Sequence, residues 1–153
     1  MSEHRATVVW RFGGGDFRKG QYSREHTWSF DGGLSIPASP SPTIVRPPYS
    51  NPASVDPEEA FIAAIASCHL LTFLYLAGKA GIEVSSYADE AVGLLTKNEA
   101  GVPWVSSVVL RPRIEYGAGS QPSAEHAAEL HHQAHLQCFI ANSVKTQIRV
   151  EAS

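Results

Sequence analysis

The sequence predicts an α+β protein in which helices pack on antiparallel strands. Three observations support this class: a long apolar helix in the middle of the chain, short alternating segments typical of strands on both sides of it, and one later polar helix. A chain of 153 residues with 43% hydrophobic residues is long enough to bury a core of its own. We therefore expect a single domain that spans residues 1–153.

The central segment, DPEEAFIAAIASCHLLTFLYLAGKAG, carries signals for both ends of a helix. Asp56 is the expected N-cap, Pro57 suits the first helical position, and Glu59 completes a capping box. The helix should run to about Lys79, with Gly81 placed to end it. Its many alanines allow another backbone to come close, so we expect the helix to be buried on every side, in part by a partner subunit.

A membrane-spanning helix is the first alternative for this segment. Residues 60–77 carry no formal charge over 18 positions, which is near the lower limit for a span. However, Ser67, Cys68, His69 and Thr72 place polar groups at its centre, where a bilayer disfavours them. We therefore expect the core helix of a soluble protein and no membrane partner.

The N-terminus, the charge and the cysteine count argue against other classes. The opening MSEHRATVVW lacks an apolar segment after its charges, so no signal peptide is predicted and a cytoplasmic location is expected. With 12 basic and 15 acidic residues, the net charge gives no attraction to nucleic acid. Two cysteines 70 positions apart form neither a disulfide scaffold nor a CxxC motif.

The remaining elements are predicted from alternation, turn residues and caps. Strands are expected in RATVVWRF (5–12), in YSREHTWSF (22–30) and, after a turn at 31–33, in LSIPA. Five prolines make residues 38–55 an irregular loop. The later elements are one long hairpin of SYADEAVGLLTK and WVSSVVLRPRIEY around 98–101, a helix from its cap Ser123 to about Gln137, and a last strand in VKTQIRV (144–150).

Cys68 lies in the middle of the central helix, and two interpretations of it are open. A free cysteine is often a buried, inert core residue. A reactive cysteine must be a thiolate, whereas an ordinary thiol, with a pKa of about 8.5, is mostly protonated at neutral pH. The helix dipole acts only near helix ends and cannot supply the missing positive charge. A reactive Cys68 would therefore require a nearby arginine.

Cys138 follows the second predicted helix, in LHHQAHLQCFIANSVK. It can be a packing residue, or a zinc ligand together with His131 and His135, which can share a helix face with it. An i,i+4 histidine pair is weak support for a metal, because histidines late in a helix also complement its negative end. We expect no metal, and zinc is kept as an alternative.

Two segments resemble the signature segments of the OsmC/Ohr superfamily, which comprises osmotically inducible protein C and the organic hydroperoxide resistance proteins. The first is DPEEAFIAAIASCHLLTF, and the second, CFIANSVK, begins 70 positions after the first cysteine. The similarity extends over most of the chain, including the order of strands and helices. It implies an OsmC-like fold, with antiparallel sheets and a long buried central helix, in an intertwined homodimer.

The resemblance also implies roles for individual residues. Cys68 resembles the peroxidatic cysteine of the family and Cys138 its resolving cysteine. Glu58, in the PEE segment, resembles the active-site glutamate. The position of the family's arginine differs between branches, so that Arg24, in YSREHTWSFDGG, is the first candidate and Arg46, in the proline-rich loop, is the second.

Glu58 cannot touch Cys68 of its own chain if both lie on one straight helix, because ten helical residues span about 15 Å. A network of glutamate, arginine and Cys68 would need Glu58 from a partner subunit, so we expect an obligate dimer with two composite sites. His69 points about 100° round the helix from Cys68, and we expect it to be structural rather than a base. His69 and the CFI start of the second motif both depart from the better-known branches of the family.

The resemblance implies a cysteine peroxidase that uses no metal, haem or other cofactor. Cys68 would reduce a hydroperoxide to an alcohol and become a sulfenic acid, Cys138 would condense with it to a disulfide, and an external dithiol, for example of the lipoyl type, would reset the pair. Phe61, Phe73 and Phe139 are the expected apolar contacts that favour organic hydroperoxides over hydrogen peroxide. The alternative is a ligand-binding or structural protein of the same fold with idle cysteines.

Overall fold

The computed structural model describes all 153 residues of the chain. Its elements are the strands β1 (Ala6–Val9), β2 (His26–Phe30), β3 (Ser35–Ala38), β4 (Val84–Asp89), β5 (Val92–Lys97), β6 (Pro103–Leu110), β7 (Pro112–Tyr116) and β8 (Gln147–Val150), the helices α1 (Pro57–Lys79) and α2 (Ala124–Gln137), and a 3-10 helix at Ala141–Ser143. These elements confirm the predicted α+β class. The chain forms two compact units, Met1–Ala60 and Phe61–Ser153.

The first unit contains a three-stranded antiparallel sheet in the order β1-β2-β3. Trp28, in the middle strand, lies opposite Val8 on one side and Ile36 on the other. The turn between β2 and β3 contains Gly33 with a φ of +88°, a left-handed conformation that glycine adopts without steric strain. The predicted hairpin is confirmed, and β1 is shorter than the strand expected from the sequence.

The proline-rich segment between β3 and α1 is irregular, as predicted, and it is held by specific hydrogen bonds. The backbone N–H of Ser39 donates to the carbonyl of Val55 at 3.0 Å, and the backbone N–H of Asn51 donates to the Ser39 hydroxyl at 2.8 Å. One peptide bond in the segment, between Pro47 and Pro48, is cis. Since its backbone groups find partners inside the unit, the loop needs no helix or strand to be ordered.

Helix α1 begins and ends where the sequence signals place it. The Asp56 carboxylate accepts a hydrogen bond from the backbone N–H of Glu59 at 2.8 Å, and the Glu59 carboxylate accepts one from the backbone N–H of Asp56 at 3.0 Å. At the other end, Gly81 has a φ of +74° and the N–H of Ile82 donates to the carbonyl of Ala77 at 2.9 Å. These contacts confirm the capping box and the glycine stop.

One face of α1 is buried inside this chain and the opposite face is open. The buried residues recur every fourth position: Ile65, His69, Phe73 and Ala77. On the open face, Leu71 is 64% exposed and Tyr75 is 60% exposed. The burial expected on every side is therefore found on one face only, and cover of the other face by a partner subunit stays a prediction.

Helix α1 is also long and apolar enough to cross a membrane, judged by length and composition alone. Core helices of soluble proteins have the same length and composition. The hydroxyl, thiol and imidazole groups near the centre of α1 disfavour a position in hydrocarbon. The fold is therefore consistent with a soluble protein.

The second unit divides the predicted long hairpin between two sheets. β5 pairs with β6 around their turn as expected, whereas β4 pairs with β7 in a separate two-stranded sheet. The break falls between Asp89, which lies opposite Pro112, and Val92, which lies opposite Val109. Across the break, the Asp89 carboxylate accepts a hydrogen bond from the backbone N–H of Arg111 at 2.7 Å. The prediction of one continuous hairpin is therefore wrong. At the break, the Asp89 side chain binds the backbone N–H of Arg111, which a continuous pair of strands would use for a backbone hydrogen bond.

Two apolar clusters form the core of the second unit and share helix α1. The cluster between α1 and α2 consists of Phe73, Ala77, Leu130 and Ala134. The cluster between α1 and the β5-β6-β8 sheet is built on Ile65, Val108 and Leu110. Strand β8 pairs with β6 in parallel, so this sheet is mixed rather than purely antiparallel. The buried face of α1 is thereby fixed against both a helix and a sheet.

Candidate active site

Helix α2 carries the second cysteine to the first. The Ser123 hydroxyl accepts a hydrogen bond from the backbone N–H of His126 at 3.2 Å, which confirms the predicted cap. The helix ends at Gln137, as predicted, and Cys138 follows it with an extended backbone. Because α2 packs against α1, its C-terminal end brings Cys138 to the turn of α1 that holds Cys68.

The two cysteines are free thiols, and Cys68 is near enough to Cys138 to affect its protonation. Cys138 is 1% exposed and Cys68 is half-buried. Burial, followed by the neighbouring Cys68 thiol, raises the pKa of the Cys138 thiol to about 11. The backbone N–H groups of Ala141, 3.4 Å from the Cys138 sulfur, and of Ile140 act in the opposite direction. Cys138 is therefore a protonated, shielded thiol at neutral pH, placed next to a more accessible one.

An open cavity of about 470 Å³ lies beside Cys68. Its other lining residues are mostly apolar and carry no formal charge: Leu71, Thr72, Tyr75, Gln137 and Phe139. Apolar walls around a thiol favour the approach of an uncharged organic molecule over that of a small polar one. The cavity thus gives Cys68, but not the buried Cys138, access to a ligand.

The three phenylalanines expected to contact substrate lie in three different places. Phe139 lines the cavity at Cys68 and is 83% exposed. Phe73 is fully buried in the cluster between α1 and α2, so its ring cannot meet a ligand in that cavity. Phe61 lines a separate cavity together with Trp104. Leu71 and Tyr75 therefore replace Phe61 and Phe73 as the apolar wall beside the thiol.

Arg24, the first candidate for the active-site arginine, lies in the first unit. Its guanidinium donates hydrogen bonds to the carbonyls of Gly20 at 3.2 Å and Tyr22 at 3.0 Å, and it stacks on the Tyr22 ring at 4.1 Å. These contacts hold the side chain in a defined direction and leave other guanidinium N–H groups without a partner in this unit. The approach of this cation to a thiol stays a prediction.

Glu58 and Arg46, the other two candidates, also lie in the first unit. Glu58 is half-buried in the first turn of α1 and is separate from the capping box, which uses Glu59. Arg46 is exposed in the proline-rich loop. The ion pairs of this unit involve neither residue and do not involve Arg24. All three remain available for a partner, and their roles stay predictions.

A buried histidine pair, which the sequence reasoning did not identify, connects α1 to α2. His69 Nε2 and His131 Nδ1 lie 3.1 Å apart, and the two rings are nearly parallel at an angle of 4°. His131 also stacks on Phe73, with ring centroids 4.4 Å apart. Burial, and for His69 also the neighbouring His131 and His135, lowers the pKa of each imidazole to about 4. The pair is therefore neutral at physiological pH, so that one ring donates and the other accepts.

The zinc alternative is not supported by the arrangement of donors. No group of three or more His, Cys, Asp or Glu side chains is placed to hold a metal ion. Of the three ligands considered, His131 is hydrogen bonded to His69, and the Cys138 sulfur lies near Cys68 and accepts from the backbone N–H of Ala141. Their coordinating atoms are thus directed to different partners, although His131 and Cys138 do share a helix face.

The family model of OsmC-like proteins matches residues 50–153, about two thirds of the chain. The chain therefore belongs to the OsmC-like family. No match was found among curated proteins. The fold class and the family expected from the sequence are both confirmed.

Among solved structures, the chain is similar to an OsmC-like protein of unknown function from Vibrio cholerae, with 50% identity over 100% of both chains and a TM-score of 0.96. It shares its fold with an organic hydroperoxide resistance protein from Elizabethkingia anophelis, at 20% identity over 99% of this chain and 94% of that one, TM-score 0.72. The organic hydroperoxide resistance protein OhrB of Bacillus subtilis is 21% identical, over 97% and 98%, TM-score 0.67.

Proposed function

We propose that this protein is a thiol-dependent peroxidase that reduces organic hydroperoxides to alcohols, as a cytoplasmic stress-response enzyme. The observation that carries the proposal is the proximity of Cys68, which opens on an apolar cavity, to the buried Cys138. A pair of this kind supplies an attacking sulfur and a resolving sulfur without a metal or haem. The similarity in fold to organic hydroperoxide resistance proteins supports the same class of substrate.

In the first step, the Cys68 thiolate attacks the outer oxygen of the O–O bond. A sulfur–oxygen bond forms, the O–O bond breaks, and the electron pair leaves on the inner oxygen as an alkoxide. The alkoxide takes up a proton to give the alcohol, and Cys68 becomes a sulfenic acid. The cavity walls formed by Leu71, Tyr75 and Phe139 would hold the organic part of the substrate.

In the second step, the Cys138 sulfur attacks the Cys68 sulfenic acid. A sulfur–sulfur bond forms and one water molecule leaves, made from the sulfenic hydroxyl and the thiol proton. An external dithiol then reduces the disulfide and is itself oxidised to a disulfide. The overall reaction converts one hydroperoxide and one dithiol into one alcohol, one water and one oxidised dithiol.

The first step requires a cation near Cys68, and Arg24 is the proposed source. A guanidinium favours the thiolate over the thiol and stabilises the developing charge on the leaving oxygen. Glu58 would hold that guanidinium through a bidentate ion pair. Since Glu58 lies ten residues before Cys68 on α1, about 15 Å along the axis, we infer that a homodimer builds each site from both subunits.

The proposal is tested by adding one equivalent of cumene hydroperoxide to the fully reduced protein. Mass spectrometry should show a loss of two hydrogens and a crosslink between the peptides that contain Cys68 and Cys138. Cys68→Ser should consume no peroxide, whereas Cys138→Ser should consume one equivalent and retain a sulfenic acid. Peroxide consumption by Cys68→Ser at the wild-type rate would instead favour a protein with idle cysteines.

The expected substrate preference has its own comparison. Turnover of cumene hydroperoxide should exceed that of hydrogen peroxide under identical conditions, because only the organic substrate can use the apolar cavity. A higher rate with hydrogen peroxide would reject the organic hydroperoxide as the substrate class while leaving the thiol chemistry intact.

A further inference from the structure

The histidine pair joins the same two helices that carry the two cysteines. His69 follows Cys68 on α1, and His131 lies seven residues, or two helical turns, before Cys138. On α2 the buried positions His131 and Ala134 and the following Cys138 form one row that faces α1. The hydrogen bond between the imidazoles therefore connects the faces of α1 and α2 between which the disulfide would form.

The histidine pair is the polar contact between α1 and α2, beside an apolar cluster. The fully or nearly buried part of that cluster contains two large residues, Phe73 and Leu130, and two alanines, and Leu76 of α1 packs against it. The imidazole of His131 stacks on the ring of Phe73 and is hydrogen bonded to His69, so two residues of α1 hold it in place. Both histidines are almost fully buried, at 1% and 5% exposure. Loss of one ring would leave a buried nitrogen on the other without its partner.

Disulfide formation depends steeply on this spacing. Two sulfurs must approach to about 2 Å, and the Cα atoms that carry them must lie within about 7 Å of each other. The sulfur that attacks the peroxide and most of the cavity wall lie on α1, whereas the C-terminal end of α2 contributes Gln137 and the following Phe139 to the wall. A contact that fixes α2 against α1 would therefore affect the second step, in which α2 carries the attacking sulfur, far more than the first.

We propose that His69 and His131 form a positioning pair that holds Cys138 within reach of the Cys68 sulfenic acid. This role rests on the proposed peroxidase function. The pair takes no part in proton transfer or in substrate contact, and it acts only through the placement of the resolving cysteine. The bond that it promotes is the sulfur–sulfur bond of the second step, with water as the leaving group.

The variant His131→Phe tests the proposal, since it keeps a ring that can stack on Phe73 but removes both nitrogens. Reduced protein is mixed rapidly with one equivalent of cumene hydroperoxide. The first step is followed by peroxide loss and by trapping of the sulfenic acid with dimedone, and the second by the appearance of the disulfide in mass spectra. We expect the first rate to stay within about twofold of wild type and the second to fall by about tenfold or more.

Matched variants separate positioning from a general effect on the fold. His132→Phe changes the exposed neighbour in the same way and should leave both rates unchanged. His131→Gln retains an amide that can hydrogen bond to His69 and should restore part of the second rate. His69→Phe removes the other partner and should likewise slow disulfide formation without slowing peroxide loss. It replaces His131→Phe in the test if that variant does not fold.

Two results would overturn the positioning role, and they differ from failure of the proposed function. The first is a wild-type rate of disulfide formation in both His131→Phe and His69→Phe. The second is an equal slowing of peroxide loss and disulfide formation, which would indicate a general effect on the fold. If the wild-type protein itself forms no disulfide between Cys68 and Cys138, the peroxidase mechanism fails, and the positioning role fails with it.

Discussion

Cys138 is a near neighbour of Cys68, but only Cys68 opens on a cavity. One thiol is buried behind the other at the junction of two helices, and burial raises its pKa to about 11. The pair is therefore asymmetric before any reaction takes place. The accessible sulfur can meet a ligand, and the shielded sulfur can meet only its neighbour.

This asymmetry predicts that an alkylating reagent modifies the two cysteines at very different rates. At pH 8 a thiol with a pKa of about 11 is about 0.1% ionised, and Cys138 is 1% exposed. Iodoacetamide should therefore label Cys68 first and Cys138 at least about tenfold more slowly. Peptide mass spectrometry at timed intervals measures both rates. In 8 M urea the difference should disappear, and equal rates in the native protein would contradict the buried position of Cys138.

The capping box at the start of α1 predicts a loss of stability for Asp56→Ala. The Asp56 carboxylate satisfies the backbone N–H of Glu59 at 2.8 Å, and removal of an N-cap side chain typically costs about 1 kcal/mol. We expect the free energy of unfolding in urea to fall by about that amount. Disulfide formation after addition of peroxide should be little changed, because the cap lies three turns before Cys68.

Glu58→Gln is the matched change at the same helix end. Glu58 takes no part in the capping box, so the free energy of unfolding should fall only by the few tenths of a kcal/mol expected for a charge near a helix N-terminus. If Glu58 orients an arginine, peroxide consumption should fall by about tenfold or more. A variant with full activity would remove Glu58 from the site, whatever its stability.

Because the histidine pair is buried, we predict that the free energy of unfolding falls when the pH is lowered from about 6.5 to 4. The pKa of His69 and of His131 is lowered from 6.5 to about 4 in the folded protein, so the unfolded chain takes up protons that the folded chain does not. The contribution of these two groups to the free energy of unfolding should be constant above about pH 7 and fall between about pH 6.5 and 4. Below about pH 4 these groups should cause no further change. The slope is at most about 1.4 kcal/mol per pH unit for each histidine.

Urea unfolding at a series of pH values measures this slope. In His131→Phe one of the two shifted groups is absent, so the dependence on pH between 6.5 and 4 should be about half that of the wild type. His132→Phe, which changes an exposed histidine, should keep the full slope. An unchanged slope in His131→Phe would show that other groups cause the loss.

The sequence predicted those features whose physical cause is local. The N-cap of α1, the glycine that ends it, and the cap of α2 at Ser123 each depend on residues within one or two turns, and all three are confirmed. The break in the long hairpin was missed because it depends on the Asp89 side chain and the backbone of Arg111, which are 22 positions apart. Alternation alone gives no sign of such a contact.

The candidate site was predictable only in part, for the same reason. The resemblance of two segments indicated both cysteines, and the fold does bring them together. The partnership of His69 with His131 joins residues 62 positions apart and was missed. The sequence did contain one indication of this pair. His69 lies at the same four-residue spacing as the apolar residues Ile65, Phe73 and Ala77, and a polar side chain on a buried helix face needs a hydrogen-bond partner.

The cavity at Cys68 predicts a change of substrate preference for Leu71→Gln. Leu71 lines the cavity one turn after Cys68, and replacement of its side chain by an amide removes apolar contact with the organic group of a hydroperoxide. A loss of about 1.4 kcal/mol, within the range for a leucine contact, would raise the KM for cumene hydroperoxide about tenfold. Turnover of hydrogen peroxide should stay within about twofold, since that substrate has no apolar part. Leu74→Gln, on the same exposed side of α1 but outside the cavity, is the control and should preserve both activities. Equal losses for both peroxides in Leu71→Gln, or equal effects of the two variants, would show that the cavity does not select the substrate.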